Sequence, residues 1–150
     1  MKFHCQVCIV GAGPGGALLG LLLASQGIST ILVERHNGID KEFRGEHLND
    51  IGEGILKKYK LYDKVEQAGL LLMEKVEYWN RGEVIKTIFP ETGKRHVGIH
   101  IPQKNLLNVL LKEAQKHDCF KLLMGTKVTD LIHDEKGQVI GVKAIKNDEE

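Results

Sequence analysis

Six residues near the start of the chain, Gly11-Ala12-Gly13-Pro14-Gly15-Gly16, restrict what it can fold into more than any other feature. Four glycines and a proline in so short a run break any regular element. Before them, residues 5–10 (Cys5-Gln6-Val7-Cys8-Ile9-Val10) are β-rich and end at glycine, the pattern of a buried parallel strand. After them, residues 14–26 carry Ala17, Leu18, Leu19, Leu21, Leu22, Leu23 and Ala24, apolar almost all round. That pattern predicts a helix packed tightly against a sheet. Gly27 is its natural stop. Residues 29–33 read as a second strand ending at Glu34. Strand, glycine turn, helix, strand is a βαβ unit, so the fold class is α/β.

Within the turn, Gly11-x-Gly13-x-x-Gly16 follows a strand and opens a helix, the context that gives this spacing its meaning. Gly11 allows the tight turn, Gly13 lets the backbone approach a pyrophosphate, and Gly16 lets helix and strand pack closely. Amides at the helix N-terminus then face the phosphates, and the helix dipole favours their charge. Pro14 lacks an N–H where none is needed. Gly11, Gly13, Pro14, Gly15 and Gly16 are therefore candidate cofactor-binding residues. Gly20 lies one helical turn beyond Gly16 on the same face. Glu34 stands 23 residues after Gly11, near the offset at which a carboxylate meets an adenosine ribose. It would repel a 2′-phosphate, whereas the adjoining Arg35 could reach one. The competing reading is a glycine-rich turn in an ordinary α/β domain, with Glu34 as a solvated strand end.

After Arg35 the pattern changes. Residues 36–46 read as a loop, and 49–59 and 61–68 as short helices with Leu56, Leu61, Val65 and Ala68 as core candidates. Residues 75–79 and 83–89 alternate around Asn80-Arg81-Gly82, which predicts a hairpin. Residues 95–101 read as a third strand of that group, closed by Pro102. Residues 103–117 place Leu106, Leu107, Leu110, Leu111 and Ala114 at helical spacing. Residues 120–123, 126–133 and 138–145 read as strands. A self-contained doubly wound domain alternates strand and helix throughout. Here the alternation gives way after the second strand, as when a second sheet is inserted. The ending on a hairpin reads like a piece cut from a longer protein.

Composition excludes several classes. A net charge of +1 over 150 residues, with no basic block, leaves no footprint for nucleic acid or an acidic membrane. The apolar run from Val7 to Ala24 is broken by the glycines, so it is neither an export signal nor a stable membrane span. Cys5 and Cys8 lie three apart in a strand and point to opposite faces, so they read as small core residues in a reduced, cytoplasmic compartment. His96 and His100 share a strand face, but two histidines make a poor metal site, and no metal is expected. Tyr78 and Trp79 read as core or sheet packing.

The stretch Val10-Gly-Ala-Gly-Pro-Gly-Gly16 through Val33-Glu34-Arg35, followed by Phe43-Arg44-Gly45-Glu46, resembles the N-terminal part of the class A flavoprotein monooxygenases, which share the para-hydroxybenzoate hydroxylase fold. The likeness continues through Ile101-Pro102-Gln103-x-x-Leu106-x-x-x-Leu110 to Val139-Ile140-Gly141-Val142. It implies a Rossmann-like βαβ FAD-binding domain with an inserted β-meander that starts a second sheet, a glutathione-reductase-like FAD fold. Residues 1–70 and 103–150 would form the nucleotide-binding part, and 71–102 the meander towards a substrate domain. The resemblance further implies FAD as cofactor, NAD(P)H as co-substrate and hydroxylation of a small organic molecule, aromatic or polycyclic, with dioxygen. Glu34 would bind the adenosine ribose, Arg44 would approach the pyrophosphate or ribityl region, and Gln103 would support it. Plainer readings stand beside these: Arg44 as a solvated loop cation, Gln103 as a helix-start residue, and Glu46 paired with Arg44 or exposed.

No side chain here is expected to act as acid, base or nucleophile, because the chemistry belongs to the flavin. The family's later Asp-Gly and Gly-Asp motifs do not occur in this sequence. The rival readings are a flavin-dependent reductase, dehydrogenase or halogenase of related fold, a non-catalytic nucleotide-binding module, and an NAD-dependent Rossmann dehydrogenase.

Overall fold

A computed structural model describes residues 1–39 and 45–147 of the chain. The elements run β1 (Val7–Val10), α1 (Pro14–Ser25), β2 (Thr30–Val33), β3 (Gly45–Leu48), α2 (Asp50–Lys58), α3 (Tyr62–Gln67) and β4 (Leu71–Leu72). They continue with β5 (Val76–Asn80), β6 (Glu83–Ile88), β7 (Ile99–Pro102), α4 (Gln103–Ala114), β8 (Phe120–Leu123), β9 (Thr126–His133) and β10 (Val139–Lys146). The chain divides into two compact units: Met1–Lys41 with Leu110–Glu150, and Glu42–Val109.

In the first unit β1, β2 and β8 form a parallel sheet in that order, with Val7 opposite Thr30 and Thr30 opposite Phe120. Parallel neighbours need a crossover between them, and α1 is the crossover from β1 to β2. Although α1 is apolar all round, it buries one face only: Ala17, Gly20, Leu21 and Ala24 are inside, while Leu19 is 47% exposed. Three of the four buried residues are small, which lets α1 lie close on the sheet. A Cβ at Gly20 would stand 2.9 Å from the Phe120 ring. At the far end Gly27 takes φ +76°, and the amides of Gly27 and Ile28 bond back to Ala24 and Leu23, closing the helix as a glycine at that position does. β9 and β10 pair as an antiparallel hairpin.

The expected burial of the N-terminal strand holds for Ile9 and fails for Cys8, which is exposed, while Cys5 is half-buried. The cysteines are thus not the core pair that residue type suggested. Successive strand residues face opposite ways, and Cys8 falls on the face opposite Ile9.

In the second unit β7 is central to a three-stranded sheet, antiparallel to both β3 and β4. Leu56, Leu61, Val65, Ile99, Ile101, Leu106 and Leu107 are buried, whereas Ala68 is half-buried. The predicted hairpin is present as β5–β6 and turns through Arg81 (φ +50°) and Gly82 (φ +86°), both left-handed, as a two-residue primed turn requires. Three sequence expectations are corrected here. β7 does not join that hairpin but pairs with β3 and β4, and it begins at Ile99, so His96 and His100 do not share a strand. β3 occupies the end of the segment that reads as a loop. Gly-Glu-His-Leu carries no strand pattern, and the pairing comes from β7, far along the chain. Of the two readings for Tyr78 and Trp79, sheet packing is the one that holds: both lie in the β5–β6 pair and are 49% and 61% exposed.

Candidate nucleotide site

The site grows out of the β1–α1 turn in the first unit. Gly11 takes φ +102°, which a side chain rarely tolerates, and its amide bonds the Val33 carbonyl at 2.7 Å, tying the turn to the end of β2. A Cβ on Gly16 would come within 2.1 Å of the Gly11 carbonyl oxygen, so only glycine allows α1 to start so close to its own turn. Gly13 and Gly15 differ: an added Cβ on either would meet no heavy atom within 4 Å. The inner glycine serves packing, and the outer two leave space.

Gly13 is the N-cap of α1 and brings no side chain to cap it, Pro14 follows, and the first turn holds no acid. The first bond onto the helix runs from the Ala17 amide to the Gly13 carbonyl at 2.8 Å, so the Gly15 and Gly16 amides precede the ladder. A helix start of this kind presents N–H donors and the positive end of the dipole outward.

Glu34 closes the site from β2. It is 8% exposed, which removes the solvated-strand-end reading. Its Oε2 accepts from the Ala12 amide at 2.8 Å, inside the glycine turn. Its Oε1 accepts from the His36 amide at 3.0 Å and lies 2.5 Å from His36 Nδ1. Burial alone would raise the Glu34 pKa. The hydrogen bonds from Ala12 and His36, with the attraction of the His36 ring, outweigh it and hold the carboxyl below its ordinary range. The group is therefore an anchored carboxylate at neutral pH. Arg35 is exposed, and its carbonyl accepts from Asn147 Nδ2 at 2.6 Å.

In the second unit Gln103 opens α4 directly after β7. It is 8% exposed, and its Nε2 donates to Glu46 Oε1 at 2.5 Å. Glu46 belongs to β3, where it stands opposite Ile101. Arg44 lies outside the described residues. His96 Nε2 is 3.8 Å from Glu53 Oε2, and its Nδ1 is buried without a hydrogen-bond partner. Among the described residues no group of three or more His, Cys, Asp or Glu gathers to hold a metal ion, and no helix is long and apolar enough to cross a membrane.

Sequence reasoning missed two partners. His36 sits two residues past Glu34, close enough to have been considered. Glu46 is 57 positions from Gln103, and only the β3–β7 register brings the two together.

A parallel sheet with a glycine turn feeding an uncapped helix and a carboxylate at the next strand's tip defines a dinucleotide-binding βαβ domain. Residues 4–150 match the family described as FAD binding domain, and the chain belongs to that family. FAD is the cofactor that goes with this membership. The residues fit its diphosphate, with outward amides, open space at Gly13 and Gly15, and no acid in the first turn of α1.

A Streptomyces rimosus protein named 6-methylpretetramide 4-monooxygenase is 33% identical over 144 residues, which cover 93% of this chain and 34% of that protein. An Aspergillus terreus protein named FAD-dependent monooxygenase is 30% identical over 113 residues, covering 75% of this chain and 16% of that one. The crystal structure of Pseudomonas aeruginosa PqsL in complex with 2-aminobenzoylacetate superposes with a TM-score of 0.81 at 22% identity, over 95% of this chain and 39% of PqsL. That superposition establishes the fold. This chain thus spans about a third of the Streptomyces relative's length.

Proposed function

We propose that this chain is the FAD-binding portion of a flavin-dependent monooxygenase that uses NAD(P)H and dioxygen to hydroxylate a small organic substrate, aromatic or polycyclic. The observation that carries the reading is the 33% identity, over nearly the whole chain, to a relative named as a monooxygenase. The Glu34 carboxylate anchored on the glycine turn supports the same reading from geometry.

In this proposal Gly11, Gly13, Pro14, Gly15 and Gly16 form the diphosphate turn, with the donated bonds coming from backbone amides. Glu34 accepts from the adenosine ribose, and its anchored charge excludes a 2′-phosphate. Arg35 stands exposed beside it. Gln103, its amide oriented by Glu46, serves the flavin half together with Arg44. Residues 1–70 and 103–150 form the nucleotide-binding part, and 71–102 lead towards a substrate domain. When bound, the flavin supplies the redox chemistry between NAD(P)H, dioxygen and substrate, and these residues bind and orient it. None is assigned a catalytic role. The proposal includes a cytoplasmic location, in line with three unpaired cysteines.

The test has two steps. Purified protein is mixed with FAD, desalted and examined for the flavin absorption bands, which should remain with the protein. The full-length gene product is then supplied with NADH or NADPH, candidate aromatic substrates and isotope-labelled dioxygen. Label in the product supports the monooxygenase. Reduced product without label would turn the reading to a reductase, and retained FAD with no turnover would leave a nucleotide-binding module.

A further inference from the structure

Glu34 has little accepting capacity left for a ribose. An ionised carboxylate offers about four lone-pair sites. The Ala12 amide takes one on Oε2, and the His36 amide and ring nitrogen take two on Oε1. A ribose presents two hydroxyl donors, so the carboxylate alone cannot accept both. The His36 ring is 39% exposed by its side chain. With Nδ1 engaged on Glu34, the ring's other nitrogen, Nε2, is left to bond a hydroxyl, which can both donate and accept.

The position of His36 is set by the fold. Its carbonyl accepts from the Gly125 amide at 2.9 Å, the Glu34 carbonyl accepts from Thr126 at 2.8 Å, and the Glu34 amide donates to Leu123 at 2.9 Å. Gly125 takes φ +60°, and a Cβ there would stand 2.1 Å from Asn37 Oδ1, so the turn between β8 and β9 is built to hold residues 36–37.

From this geometry we infer that His36 is a positioning residue for ribose recognition: its ring holds the Glu34 carboxylate by the oxygen that Ala12 does not use and adds a second hydrogen-bonding group beside it. The inference rests on the FAD reading above and extends it to the sugar. It makes discrimination between ribose and deoxyribose depend on His36 as well as on Glu34.

The test is calorimetric titration of this chain with ADP and with its 2′-deoxy analogue, in the unaltered protein, His36→Ala and His36→Asn. The unaltered chain should prefer ADP. His36→Ala should lose roughly three- to tenfold in ADP affinity and much less for the deoxy analogue, bringing the two affinities together. His36→Asn keeps a side-chain N–H near the place of Nδ1 and should restore part of the preference. An equal loss for both ligands in His36→Ala would mark the ring as structural support only and overturn the inference. An unchanged preference would overturn it too, leaving the FAD reading intact. No ADP binding by the unaltered chain would overturn the nucleotide reading and this inference together.

Discussion

Two helices in this chain begin in opposite ways. α2 is closed at its start: the Asn49 side chain accepts from the Gly52 amide at 3.2 Å, and Asp50 and Glu53 stand in the first turn against the positive end of the dipole. α1 is open: its N-cap is Gly13, no side chain caps it, and its first turn holds no acid. Both starts face the same orphan donors. α2 satisfies them with its own residues, and α1 leaves them without a side-chain cap, open to the diphosphate of the proposed function. A site here is thus made by withholding an ordinary stabilising device.

That contrast can be broken most severely by giving α1 the start that α2 has. Gly13→Asp places a carboxylate at the N-cap, where backbone φ is −68° and space is open. FAD affinity should fall by about a hundredfold or more through repulsion of the diphosphate. The melting temperature should stay level or rise, since Asp caps better than Gly. Fluorescence titration and thermal unfolding read the two effects separately, and retained affinity would break the account of α1.

Gly16→Ala should act the other way, on folding first. Its Cβ would meet the Gly11 carbonyl at 2.1 Å, so unfolding in urea should show a loss of about 1–3 kcal/mol. An unchanged midpoint would mean the turn is not close-packed.

Glu34→Gln should cost about tenfold in FAD affinity and change the pH dependence of stability. The Glu34 pKa is lowered in the folded chain. Its contribution is therefore full above the ordinary carboxylate range and is lost as pH falls through the lowered value. Unfolding midpoints taken at successively more acid pH should fall less steeply in the variant. Parallel curves would contradict the anchored carboxylate.

Asn49→Ala should have the smallest effect. It removes the cap of α2 at about 1 kcal/mol and leaves FAD affinity unchanged. A drop in affinity would show that the two helix starts are not independent.

The open start was the more legible of the two regions, for a physical reason. Its determinants are local: Gly11, Gly13 and Gly16 act within one turn, and Glu34 arrives after a helix of fixed length. Gln103 could be named only through the family resemblance, and its partner not at all, because Glu46 reaches it through strand pairing that Gly45-Glu46-His47-Leu48 does not advertise. The same limit explains β4, two leucines that become a strand only against β7. Alternation located the β5–β6 hairpin correctly but is silent on its burial. The pattern reports which residues share a face, not whether anything covers that face, and Trp79 and Ile85 are exposed.

The central claim is that backbone amides at the start of α1 receive the diphosphate. It is tested most directly by following the amide resonances of isotope-labelled protein while ADP is added. Gly13, Gly15 and Gly16 should shift most, with Ala12 moving alongside them and the amides of α2 staying still. Saturable ADP binding that leaves those glycine amides unmoved would contradict the account.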